Sequence, residues 1–226
     1  MATTTDILYV DFLCFKVDAA FRRLPAQEIQ KAKKELEEFL KEAEKNFNIR
    51  PYLTIGLRQE VDFFLWLIAE DLAPVQSFIA SLYRTVFGKY LSLVYSFVAM
   101  KKPSPYALPH QQAFEKDDPP KKYLFVYPFV KSREWYLLPF EKRKAIMEEH
   151  TRIAREYATV RLNTTYSFGL GDQEFVLAFE ADVPADFENL VQRLRETEGS
   201  RYVIKDTPLI IGTVISKENL FERLGL

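Results

Sequence analysis

An α+β fold built from two ferredoxin-like βαββαβ repeats is predicted by three features of the sequence. The order strand, helix, strand, strand, helix, strand is read twice along the chain. Leu24-Pro25 and Gly56 of the first half recur as Leu138-Pro139 and Gly169 of the second, and a polar, proline-rich stretch lies between the halves. Two such modules can join their sheets into a dimeric α+β barrel wrapped by helices, and that arrangement is expected here. The expected divisions are an N-terminal repeat over 1–100, a connector over 101–122 and a C-terminal repeat over 123–226.

Each element has its own warrant. Ile7 to Phe15 is β-branched and aromatic, as a strand should be. Pro25 opens a charged run in which Ile29, Ala32, Leu36, Phe39, Leu40 and Ala43 recur at helical spacing. Tyr52 to Leu57 and Val61 to Ala69 are apolar runs around Arg58-Gln59-Glu60, a hairpin signal. Leu72 to Phe87 is amphipathic and stops at Gly88, and Leu91 to Met100 is extended. In the second half Tyr123 to Val130 is a strand and Pro139 to Tyr157 a helix. Val160 to Phe168 and Glu174 to Ala181 are strands, Ala185 to Glu196 is helical, and Tyr202 to Ile215 is extended. The connector carries Pro103, Pro105, Pro109, Pro119 and Pro120, and a connection this long inside a compact protein is more often functional than idle.

Composition bounds the function. The 226 residues are 48% hydrophobic and 28% charged, so the chain can bury a core without staples and is not disordered. Lys+Arg at 31 against Asp+Glu at 32 leaves no basic excess, which argues against nucleic acid. A lone cysteine, Cys14, forms no internal disulfide. The N-terminal stretch lacks the basic-then-apolar pattern of a signal peptide, and no window is long and apolar enough to span a membrane. A soluble, cytoplasmic protein is expected. P-loop, Gly-x-Gly-x-x-Gly, Gly-x-Ser-x-Gly and His-Glu-x-x-His motifs are all missing.

Two histidines are all the imidazole available. His150 shares a predicted helix face with Ile146, Met147, Ile153, Ala154 and Tyr157, so its ring points inward. Two readings fit it: a core histidine satisfied by its neighbours, and a single axial ligand to haem iron in an apolar pocket. Two histidines do not make the usual three- or four-ligand zinc site, so a bound metal needs a macrocycle for most of its ligands. His110, in the connector, fits either a solvated loop residue or a general base placed over a pocket.

The stretches YPFVKSREWYLLPFEKRKAIMEEH (Tyr127 to His150) and RLNTTYSFGLGDQEF (Arg161 to Phe175) resemble the chlorite dismutase family, and within it the actinobacterial-type coproheme decarboxylases. The resemblance implies iron-coproporphyrin III as substrate and redox centre, hydrogen peroxide as oxidant and haem b as product. It makes His150 the axial iron ligand, Tyr127 the catalytic tyrosine, His110 the distal proton acceptor and Trp135 the family's nearby tryptophan. Lys131 becomes a propionate partner and Arg133 a weaker one. Asn163 falls by residue count where chlorite dismutases carry an arginine, which disfavours chlorite splitting because an amide is no cation. Glu198 matches the carboxylate that accepts the proximal histidine's second proton, while Gly199 departs from a propionate-binding serine. A homopentamer and transient contact with a ferrochelatase are also implied. A haem-binding member with only peroxidase, sensing or carrier activity is a second functional class, and a catalytically inert ferredoxin-like assembly module, which leaves both histidine placements unexplained, is a third.

Overall fold

The computed structural model describes residues 7–106, 111–116 and 118–226. It divides into two compact units, Met1–Met100 with Gly212–Leu226, and Lys101–Ile211. In the first unit β1 (Tyr9–Val17) is apolar almost throughout and buried on both faces. Pro25 opens α1 (Ala26–Ala43), which turns Ala32, Leu36 and Leu40 inward at i, i+4 and i+8. Then come β2 (Asn48–Leu53), β3 (Phe63–Ala69), α2 (Ala73–Leu82) and β4 (Leu91–Met100). All pairings are antiparallel, with β1 between β4 and β3, and β2 beyond β3. That is the strand order of a ferredoxin-like module.

The second unit repeats it. β5 (Tyr123–Lys131) is followed by α3 (Arg133–Leu137) and α4 (Phe140–Arg155), then β6 (Arg161–Tyr166), β7 (Phe175–Ala181), α5 (Pro184–Arg195) and β8 (Val203–Lys205). β5 lies between β8 and β7, and β6 lies beyond β7, again all antiparallel. The hairpins β2–β3 and β6–β7 turn at Gly56 and Gly169, with φ of +79° and +76°. Residues with a Cβ rarely adopt that conformation, which explains why glycine recurs at both places.

Three features differ from the sequence reading. The stretch Arg133–Leu137 forms a short helix of its own before α4. The second helix of the first unit ends at Leu82, where Thr85 Oγ1 donates to Leu82 O at 2.7 Å and accepts from Gly88 N–H at 2.9 Å. The extended C-terminal run is interrupted after β8. It resumes as β9 (Ile210–Val214), whose Thr213 and Val214 pair with Leu53 and Tyr52 of β2, and it ends in α6 (Leu220–Arg223). Leu220, Phe221 and Leu224 complete the core of the first unit, to which residues from Gly212 onward belong. Among the described residues no helix is long and apolar enough to cross a membrane.

One buried charge site in the first unit has a thermodynamic consequence. Asp11 is 3% exposed, and Ser96 Oγ donates to its two carboxylate oxygens from 3.0 and 3.1 Å. Burial pushes its pKa up to about 7, and the serine opposes this only in part. The folded chain therefore binds this proton more tightly than the unfolded one. Its contribution favours folding in acid and is lost as pH rises through 7, by about 4 kcal/mol in all. Asp11→Asn should flatten the fall in denaturation midpoint between pH 5 and 8. A slope identical to that of the parent would assign the pH dependence to other groups.

Candidate functional site

The inward stripe of α4 and the facing side of β5 and β7 bring the second unit's polar groups together. On β5 the alternation of a strand puts Phe125, Tyr127 and Phe129 on one side. Cross-strand pairing of Phe125 with Phe179 and of Tyr127 with Leu177 extends that side to β7. Ala154 of α4 and Tyr157 just beyond its end pack against this surface, so the stripe that carries Ile146, His150 and Ile153 looks toward it. Tyr127 is 8% exposed, and its ring stacks with Phe179 at 6.0 Å between centroids.

Electrostatics tie these groups together. Burial, then the neighbouring Lys131 charge, hold the His150 imidazole below its ordinary range, with Glu149 opposing. The ring is therefore neutral at pH 7 and keeps a lone pair. Burial also lowers Lys131, to about 8, against the favourable charge of Glu174. The Lys131 ammonium sits 3.9 Å from the centre of the buried Trp135 ring, a cation–π contact. Trp135 also packs on Tyr202 at 5.5 Å. Burial raises the Tyr127 phenol well above the usual tyrosine range; Asp206 adds to this and Arg195 opposes it.

Other sequence-derived candidates lie elsewhere. Arg133 is exposed on the first turn of α3. Glu198 is half-exposed and its carboxylate lies 3.7 Å from Lys142; among the described residues it makes no hydrogen bond to His150. Gly199 packs against α4, where a Cβ would come within 3.3 Å of the Ile146 side chain, so its lack of a side chain serves that close approach. His110 lies outside the described residues.

Asn163 requires a correction. Pairing of Leu162 with Phe179 and of Thr164 with Leu177 puts those two side chains on the Tyr127 side of the sheet. Asn163, one step along, points to the opposite side, where it is 1% exposed. Counting residues from His150 across the α4–β6 turn misses strand parity, and one residue reverses every side chain. The sequence reading also missed Arg195 and Asp206, which form an ion pair beside Tyr127. It missed Glu174 as well, whose Oε2 accepts from Lys131 N–H at 2.8 Å and from Tyr136 Oη at 2.5 Å. The only signal for Glu174 was its place within the motif from Arg161 to Phe175.

Two ferredoxin-like modules, the second carrying an inward histidine near a lysine and a buried tyrosine on the neighbouring strand, define an α+β class of protein. The chlorite dismutase family profile matches residues 29–215, and the chain belongs to that family. It is 40% identical over 174 residues to a coproheme decarboxylase of Mycolicibacterium smegmatis, covering 76% of this chain and 75% of that one. A coproheme decarboxylase of Staphylococcus saprophyticus is 26% identical over 99% of this chain and 98% of its own. Among solved structures, a chlorite dismutase mutant from Candidatus Nitrospira defluvii superposes with a TM-score of 0.89 at 26% identity, covering 97% of this chain and 95% of that one.

The Lys131–Trp135 contact makes a direct prediction. Tryptophan emission of the ligand-free protein should titrate with a midpoint near pH 8 as the ammonium loses its charge. That step should vanish in Lys131→Met, with Trp66 as a constant background. A step that survives the substitution would mean the cation is not on the indole.

Proposed function

We propose that the second unit binds iron-coproporphyrin III and that the protein converts two of its propionates to vinyls with hydrogen peroxide, giving haem b. What supports this reading is that Tyr127 and Lys131 follow one another along β5 and that the Lys131 charge reaches His150 on α4. The family and its coproheme decarboxylase members support it. The side chains fit the ligand. A neutral imidazole offers iron a lone pair, and Phe129, Leu177 and Phe179 offer a macrocycle an apolar wall. Lys131 offers a carboxylate the cation without which its burial is costly.

The chemistry balances per propionate. The propionate loses carbon dioxide, two electrons and one proton, and one hydrogen peroxide takes two electrons and two protons to become two waters. Bound iron porphyrin supplies the redox step between them. His150 would hold the iron, and Lys131 would orient and neutralise a propionate. Tyr127 would give up an electron together with its Oη proton and then be restored by a hydrogen atom from the propionate β-carbon. The remaining carbon radical would lose carbon dioxide and its second electron, the oxidant for both electrons being the hydrogen peroxide, and leave the vinyl. His110, by the family resemblance, accepts a proton from the peroxide. The β6 side chains on the Tyr127 side, Leu162, Thr164 and Tyr166, carry no charge at neutral pH. This supports a reaction that needs no cation for an anionic leaving species. The same reading takes the two units as a dimeric α+β barrel, the protein as a cytoplasmic homopentamer, and a ferrochelatase as a transient partner that delivers the substrate.

Peroxide titration of the protein loaded with ferric coproporphyrin III, followed by mass detection, should give a three-propionate intermediate and then haem b. Tight binding with an unchanged porphyrin would replace this reading with a haem-binding protein or a peroxidase. Tyr127→Phe should retain binding and lose turnover by roughly a hundredfold or more, because the phenol is needed only in the chemical step. Retained turnover would remove the tyrosine from the mechanism. His150→Ala should abolish the axial-ligand spectrum while leaving some porphyrin bound.

A further inference from the structure

Asn163 does not reach the Tyr127 side of the sheet, yet its buried amide is fully engaged. Its Oδ1 accepts from Phe114 N–H at 3.1 Å, and its Nδ2 donates to Glu180 Oε1 at 3.0 Å and lies 3.4 Å from Ala178 O. Glu180 Oε2 accepts from Arg161 at 2.8 Å and from Lys121 N–H at 3.0 Å, and Arg161 also donates to Pro119 O at 2.7 Å. Nearby, Gln112 Oε1 accepts from Thr164 N–H at 3.0 Å, and Gln112 N–H donates to Glu115 Oε2 at 2.6 Å. Glu115 in turn pairs with Lys101. These bonds tie β6 to β7, join the proline-rich connector to one or other of those strands, or join the connector to itself.

We propose that Asn163 is a positioning residue that fixes the connector, over residues 111–116 and 118–122, onto β6. The same strand turns Leu162 and Thr164 toward Tyr127, so the connector and one wall of the pocket are referenced to a single backbone. Asparagine suits the position because one side chain must both accept from a backbone N–H and donate to a carboxylate. Leucine does neither, and aspartate would set its carboxylate face to face with that of Glu180. A buried network of this kind holds only when every member is satisfied. The consequence for turnover rests on the reaction proposed above; the consequence for the connector does not.

Amide hydrogen exchange of the ligand-free chain, read peptide by peptide, separates the two. Asn163→Ala should raise exchange across 111–122 by about tenfold or more and leave β5 and β7 unchanged. Asn163→Asp should behave alike. The double variant Asn163→Asp with Glu180→Gln reverses the donor and keeps the net charge, so it should restore protection. Peroxide-dependent turnover should fall and recover in the same order. Unchanged connector exchange, or a rise spread over the whole second unit, would overturn the proposal. So would a loosened connector with undiminished turnover. Should Asn163→Ala fail to fold, Asn163→Ser and the double variant carry the same comparison. Absence of porphyrin binding in the parent would defeat the proposed reaction and leave the exchange result standing.

Discussion

A neutral imidazole held on the inward face of a helix, beside a lysine ammonium, is the constraint around which the second unit is arranged. The first unit shows what the same frame does without it. Leu36 stands as far beyond Pro25 as His150 does beyond Pro139. Leu13, Val17 and Phe21 likewise hold the places that Tyr127, Lys131 and Trp135 hold in the second repeat. All four residues of the first repeat are buried and apolar, and they close an ordinary core. Replacing them by histidine, tyrosine, lysine and tryptophan keeps the volumes large but introduces polar atoms that an interior penalises unless they find partners. The structure compensates locally, with the ammonium on the Trp135 face and the Tyr127 ring stacked on Phe179.

The architecture was largely legible because it depends on periodicity. Helical spacing in α1 and α4, β-branched and aromatic runs in β1 and β5, and glycines at equivalent hairpins each report a local preference that tertiary packing did not overrule. What stayed hidden depended on meetings between distant segments. No pattern in Gly212–Leu226 reveals that Leu220 and Phe221 finish the first core, since either apolar core could receive them. The Arg195–Asp206 pair joins the end of α5 to the segment after β8, and neither residue announces the other.

The site itself divides along the same line. His150, Tyr127 and Lys131 could be placed because helix and strand phases orient them within single elements. Asn163 could not, because its orientation depends on how many residues the α4–β6 turn consumes. Glu198 matched a family position, but its carboxylate is drawn to Lys142 on the exposed side of α4. Spacing is a safe guide inside an element and a poor one across a turn.

Burial acts on the three converging groups in one sense, toward their neutral forms. It lowers His150, lowers Lys131 and raises Tyr127. For a histidine proposed to ligate iron, neutrality is the required state. For a lysine near its titration point, an arriving carboxylate restores the charge that desolvation weakens, so attraction is strongest when the ligand is present. For the tyrosine the effect is selective. A phenolate or a phenol radical cation would each place a charge in a site that resists charge. A neutral phenol that loses electron and proton together becomes a neutral radical, and the low-polarity surroundings offer that change no resistance. In the proposed reaction, the desolvation that makes Tyr127 a poor acid therefore leaves hydrogen-atom transfer as the redox step open to it.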